Sequence, residues 1–212
     1  VDLTENGKLE AKKAGDLIKT QNIIIKHYYS SLQLRAINTL KLVKETLADN
    51  QNFTKAWQLN ERHYGELTGL NKIEMSKKIG EKKVYQFRRS WDLRPGPLDK
   101  QSKFHPSNID TYKNVPIENI PDTESLKDTF VRVTNYYESE ILNKLNNANI
   151  LISAHGNSIR ALCKYLFKLN KMQISNLEIP TGNPLQIEID KSQKVKSCKY
   201  LDRVRAKDLV VF

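Results

Sequence analysis

The sequence is poor in cysteine, in long apolar runs and in clustered charge of one sign. Cys163 and Cys198 are the only cysteines in 212 residues. They belong to no close pair or metal-ligand spacing, which leaves reduced, buried thiols in a cytosolic protein as the expectation. No stretch approaches the roughly 18 apolar residues that a membrane helix needs. The opening residues do not read as a signal peptide, and the chain starts at Val1, not at Met. Lysines are numerous but scattered (Lys12, Lys19, Lys41, Lys100, Lys144, Lys196), with no run of five or six. No basic stripe interleaved with aromatic residues offers bases a stacking surface. Internal repeats, low-complexity segments and linkers are also lacking, so residues 1–212 read as a single domain.

What is present is ordinary in bulk: 39% hydrophobic and 28% charged residues suit a soluble globular protein. The net charge of +11, from 35 basic and 24 acidic residues, has two readings. One is a nucleic-acid or anionic-membrane partner. The other, favoured by the scatter of the lysines, is a small polyanionic substrate on a lysine-rich protein, with neither nucleic acid nor membrane as partner.

Periodicity predicts alternating helices and buried strands. Thr4 caps a helix carrying Leu9, Ala14, Leu17 and Ile18. Ile23 to Tyr29 is β-branched and aromatic and reads as a buried strand, ended by Ser30-Ser31. Leu32 to Leu47 is helical, and Phe53 to Leu59 a short strand. Lys72 to Trp91 is helical with a break near Gly80. Arg94 to Asn119 carries four prolines and reads as a long ordered surface excursion. Glu124 to Leu145, capped by Thr123, is a helix. A strand at Asn149–Ser153, a helix from Ser158 to Leu169, and two strands at Leu185–Ile189 and Val195–Leu201 complete the chain. The class is α/β: three layers, with a mostly parallel sheet flanked by helices.

Two segments carry the chemistry. Asn60-Glu61-Arg62-His63-Tyr64-Gly65-Glu66-Leu67-Thr68-Gly69-Leu70-Asn71-Lys72 places two carboxylates, an imidazole, a phenol and two glycines among cations within thirteen residues. Such a mixture suits a pocket that binds a small charged molecule and moves protons on it. Glu61, among cations near a glycine-flanked turn, is the best candidate general acid–base, and Glu66 is not clearly worse. Ser153-Ala154-His155-Gly156-Asn157-Ser158 is a strand-to-helix junction, where free backbone N–H groups and the helix dipole favour phosphate. Arg35 follows another such junction; if both strand ends share a rim, it meets His155 on one anion. Arg88 and Arg89 suit carboxylate or phosphate recognition. Adjacent helical residues point about 100° apart, so solvated charges are an equal reading for that pair.

With Val1-Asp2-Leu3-Thr4-Glu5-Asn6-Gly7, Arg88-Arg89-Ser90, Thr123-Glu124-Ser125-Leu126-Lys127-Asp128-Thr129 and Ile179-Pro180-Thr181-Gly182-Asn183-Pro184-Leu185, these segments closely resemble, in order, the cofactor-dependent phosphoglycerate mutases of the histidine phosphatase superfamily. The resemblance implies a phosphoglycerate mutase-like fold and interconversion of 2- and 3-phosphoglycerate through a phosphohistidine primed by 2,3-bisphosphoglycerate, without a metal. It implies Glu61 as general acid–base and His155 as the histidine that steadies the transferring phosphoryl group. It makes Arg35 a phosphate ligand, and Tyr64, Lys72, Arg88 and Arg89 grips for the carboxylate and outer phosphate. Gly156 and Asn157 would complete a backbone cradle. A cytoplasmic homodimer or homotetramer goes with it. The loop from Glu61 to Lys72 looks like that of a mutase more than of a bisphosphoglycerate phosphatase or synthase.

The family's phospho-accepting histidine lies in an Arg-His-Gly-x-Ser-x-Trp-Asn run after the first strand, and these 212 residues contain no such run. Gln33 and Leu34 also stand where the family usually has an apolar residue and a lysine. The expectation is an N-terminally incomplete domain without the first, interior strand, inactive as it stands, with exposed strand edges and poor stability. The alternative is a non-catalytic phosphoglycerate-binding relic.

Overall fold

The computed structural model describes residues 1–206; the side chain of Lys72 also lies outside the described set, as does the Val210-Val211-Phe212 ending. The chain runs α1 (Glu5–Lys19), β1 (Ile25–Ser30), α2 (Leu34–Thr46), β2 (Thr54–Lys55), α3 (Lys72–Ile79), α4 (Glu81–Arg89), α5 (Leu126–Tyr136), β3 (Asn149–Ser153), α6 (Gly156–Leu166), α7 (Lys171–Asn176), β4 (Leu185–Ile189) and β5 (Val195–Tyr200). Strands β2, β1 and β3 form one parallel sheet in that order, and β4 and β5 form a separate antiparallel hairpin.

Side chains that alternate along β1 sort the helices into layers. Tyr28 points to one face, where Ala14 and Ile18 of α1 and Leu40 and Val43 of α2 bury it. Tyr29 points to the other and packs with Ala56, Leu59, Tyr137 and Ile141. A further cluster joins α5, α6 and α7 through Leu126, Val133, Ala161, Cys163 and Ile174. Helices α1 and α2 approach closely because Gly15 has no side chain: a Cβ there would stand 2.6 Å from that of Thr46. Cys163 is a free thiol, and burial pushes it up to about 12. β3 is an outer strand of its sheet, and its apolar residues Ile150, Leu151 and Ile152 remain half-buried.

Most predicted elements are present, with differences that have local causes. Thr4 does cap α1, accepting from the Gly7 N–H. Ile24 is exposed before β1 starts. The strand expected over 53–59 shrinks to two residues, because the Leu59 N–H turns back to the Ala56 carbonyl and starts a 3₁₀ turn. The helix expected from Glu124 starts at Leu126: Ser125 and Asp128 form a reciprocal capping box, while Thr123 donates to the Pro95 carbonyl. Its later part is a π turn (Tyr137–Ile141) and a 3₁₀ turn (Leu142–Asn146). Helix α7 was not expected, although Asn170 and Gln173 spell out its capping box.

Candidate functional site

Parallel pairing puts Ser30 of β1 level with Ser153 of β3, so both chains leave the sheet at the same height. The residues that follow therefore meet. Ser31 Oγ lies 2.8 Å from His155 Nε2, and Arg35, in the first turn of α2, donates from Nε to His155 Nδ1 at 3.1 Å. A guanidinium only donates, so Nδ1 is the acceptor and neutral His155 carries its proton on Nε2, directed at Ser31 Oγ. The ring is buried. Burial, then the charges of Arg35 and Arg132, bring its pKa down to about 3.

His155 precedes α6, and Ser158 closes the cap by accepting from the His155 N–H and donating to its carbonyl. At Gly156, no described residue beyond its chain neighbours and its own helix backbone lies within 4 Å of where a Cβ would be. Asn157 donates to the Tyr64 hydroxyl at 3.1 Å, and its Oδ1 accepts from Arg160 at 3.0 Å. Buried Arg160 also donates to the carbonyls of Arg88 and Ile174, tying α6 to α4 and α7.

In front of this junction is a cavity of about 550 Å³, lined by Gln33, Arg35, Glu61, Arg62, Tyr64 and Arg88 among others. Glu61 is half-buried at its wall, and its Oε1 accepts the Arg62 N–H at 2.8 Å. Glu66 is exposed, outside the cavity, and paired with Lys78 at 3.4 Å. The turn between the two needs glycine. Gly65 has φ +55°, and a Cβ on it would fall 2.0 Å from the Gly96 carbonyl oxygen.

Of the two adjacent arginines, Arg88 lines the cavity, whereas Arg89 pairs with Glu178. Lys72 begins α3, but its side chain is outside the described residues. His155, Gly156 and Asn157 stand behind the cavity wall, joined to it through Arg35 and Tyr64. Of the other histidines, His27 sits within β1. His63 Nδ1 accepts from the Gly65 N–H, and His105 is engaged by Ser107 and Asp122. Among the described residues no three His, Cys, Asp or Glu side chains gather as a metal cluster, and no helix is long and apolar enough to cross a membrane.

Sequence reasoning missed Ser31, Arg132 and Arg160. Ser31 was readable only as a strand terminator. Arg132 and Arg160 are charged residues bordering the buried faces of α5 and α6, a signal that could have marked them.

The donor set fits a small polyanion such as 2,3-bisphosphoglycerate. Arg62 is 2% exposed and stacks 4.4 Å over the Tyr64 ring, yet its Nε and Nη1 have no partner among the described residues. A buried unsatisfied donor costs roughly 1–3 kcal/mol, more when charged, and an anion in the cavity would relieve that cost.

The chain matches the histidine phosphatase superfamily (branch 1) over residues 1–105 and 92–199. It is 63% identical over 213 aligned positions to the 2,3-bisphosphoglycerate-dependent phosphoglycerate mutase of Pelagibacter ubique, covering 100% of this chain and 90% of that protein. The protein of the same name from Caulobacter sp. (strain K31) is 45% identical, with 99% of this chain and 88% of that one covered. Among solved structures, a mycobacterial glucosyl-3-phosphoglycerate phosphatase shares the fold with a TM-score of 0.65 at 19% identity, covering 94% of this chain and 85% of that one. Bacillus stearothermophilus YhfR gives 0.65 at 18% identity, covering 91% and 81%.

Proposed function

Because the chain belongs to the 2,3-bisphosphoglycerate-dependent phosphoglycerate mutase family of the histidine phosphatase superfamily, we propose that the intact product interconverts 2-phosphoglycerate and 3-phosphoglycerate. The observation that carries this reading is the contact of Arg35 with His155 at level strand ends, beside a cavity that holds Glu61 and Arg62. When bound, 2,3-bisphosphoglycerate supplies the phosphoryl group that charges the nucleophilic histidine.

The residues of this chain divide the remaining work. Arg35, with its Nε on His155, has its Nη groups for a phosphoryl oxygen. His155 is held neutral, and a phosphoryl oxygen takes over from Ser31 Oγ the hydrogen bond of its Nε2–H, which steadies charge that builds up there. Glu61 is the group that takes and returns the proton of the substrate hydroxyl. Arg62 and Arg88, with Tyr64, grip the carboxylate and the outer phosphate; Lys72 and Arg89 complete that grip, Arg89 by exchanging Glu178 for ligand. Gly156 leaves room for a ligand oxygen at the α6 N-terminus, and Asn157 donates beside it. No metal is needed, since cationic side chains supply the neutralising charge. The enzyme works in the cytoplasm, as a homodimer or homotetramer.

The alternative reading is a phosphoglycerate-binding relic, which would hold its ligand without turnover. The deciding experiment incubates the full-length gene product with ³²P-labelled 2,3-bisphosphoglycerate and traps phosphoprotein at alkaline pH, alongside a 3-phosphoglycerate turnover assay. An acid-labile phosphoenzyme with turnover supports the mutase. Ligand binding with neither establishes the relic.

A further inference from the structure

Glu61 stands on a stretch that has no regular structure from residue 61 to residue 64, so neither helix nor sheet fixes its backbone. Arg132 of α5 does. Its Nε and Nη2 donate to the two carboxylate oxygens of Glu124 at 2.7 and 2.9 Å. Its Nη1 donates to the carbonyls of Gln58 and Asn60 at 2.6 and 3.0 Å, and Nη2 also donates to that of Glu61 at 3.3 Å. Glu124 completes the grip: its Oε2 accepts the His63 N–H at 2.8 Å, and its own N–H donates to the His63 carbonyl at 2.9 Å. The pair is buried, with side chains 10% and 5% exposed.

A guanidinium has five N–H donors, and in Arg132 each has an acceptor within the protein. Although it borders the cavity, it has no donor left for a substrate anion. Arg62 is the opposite case, with two nitrogens that have no partner among the described residues. From the other side Gln33 Oε1 accepts the Glu61 N–H at 3.2 Å, and Asn60 Oδ1 accepts the Leu32 N–H at 2.9 Å. The Glu61 backbone is thus clamped between the α2 entry and α5.

We propose that Arg132, locked by Glu124, is a positioning residue that sets where the Glu61 carboxylate stands at the cavity wall and makes no contact with substrate itself. This rests on the mutase reading for its kinetic consequence, but its structural consequence can be read without turnover.

The test uses the full-length protein with Arg132→Lys and with the double variant Arg132→Gln/Glu124→Gln, which removes the pair without leaving one buried charge alone. Two quantities are read: kcat and KM for 3-phosphoglycerate, and amide hydrogen exchange along the chain. The expected result for the double variant is a kcat lower by about 10- to 100-fold with KM within about twofold. Exchange at residues 60–63 should quicken by at least about 10-fold while β1 and β3 keep their protection. Arg132→Lys keeps the charge and part of the grip, and should recover part of the kcat. Unchanged kcat, or kcat and KM lost together with exchange faster throughout the protein, overturns the proposal. If the unsubstituted protein turns over no phosphoglycerate, the mutase reading fails. Exchange then decides alone: acceleration confined to 60–63 sustains the positioning role, and no such acceleration ends it.

Discussion

His155 Nδ1 accepts a hydrogen bond from Arg35 Nε at 3.1 Å, a pairing that can exist only while the imidazole is neutral. Burial and the charges of Arg35 and Arg132 hold its pKa at about 3. Ring ¹⁵N shifts should therefore report the neutral form, protonated on Nε2, from pH 7 down to about 4. A folded-state pKa below the unfolded value of about 6.5 means that stability is fully present above pH 6.5 and is lost as pH falls toward 3. The loss approaches about 1.4 kcal/mol per pH unit within that window. His155→Asn should flatten the decline of the urea midpoint between pH 6 and 4; an unchanged decline would sink this account.

The proton-transfer role of Glu61 is separable from ligand binding. In the full-length protein, Glu61→Gln should lower kcat by about 10²- to 10⁴-fold while the affinity for 3-phosphoglycerate changes little. Steady-state kinetics with calorimetric binding checks it. Glu66→Gln, at the exposed carboxylate paired with Lys78, should leave kcat within about twofold of the parent.

Gly65 should tolerate no side chain. Its φ of +55° is unfavourable for an L-residue by about 1–2 kcal/mol, and the 2.0 Å approach of a Cβ to the Gly96 carbonyl forces a backbone shift as well. Gly65→Ala should lower the thermal midpoint by at least about 4 °C and reduce turnover, because the turn ends the short segment that carries Glu61. Differential scanning calorimetry measures the first effect.

Far from the cavity, Tyr28, Lys44 and Gln51 converge on Asp49. The Tyr28 hydroxyl donates at 2.6 Å, the Gln51 N–H at 2.8 Å and Lys44 Nζ at 3.0 Å. Burial alone would raise the Asp49 carboxyl, but these hydrogen bonds outweigh it and hold the group well below the usual carboxylate range. Its contribution is present above about pH 4 and disappears as pH falls through the lowered pKa. Asp49→Asn should cost about 1.5–3 kcal/mol at pH 7, seen as a lower urea midpoint, and the variant should lose less than the parent between pH 4 and 2.

The parts of the site that follow sequence-local rules are legible in the amino-acid sequence itself. A polar residue after an apolar strand, followed by glycine and a helix, marks a helix N-terminus at a strand end; that pattern singles out His155, Gly156 and Asn157, and a similar strand end singles out Arg35. Sequence put Glu61 only slightly ahead of Glu66, because the difference between them is burial: one faces the cavity and the other faces Lys78. Nor could Arg88 and Arg89 be separated, since Arg89 is claimed by Glu178, which is 89 residues distant.

Periodicity and capping by themselves determined the alternation of helices and strands, the parallel sheet and the break at Gly80, because such signals act within a few residues. Tertiary structure decided what depends on register and long-range donors. The pairing of Ser30 with Ser153 brings Arg35 to His155, 120 residues apart. Three of the five donors of Arg132 clamp a loop some 70 residues before it. A hydrogen bond acts only within about 3 Å of its acceptor, and which distant groups come that close is settled by the packed fold.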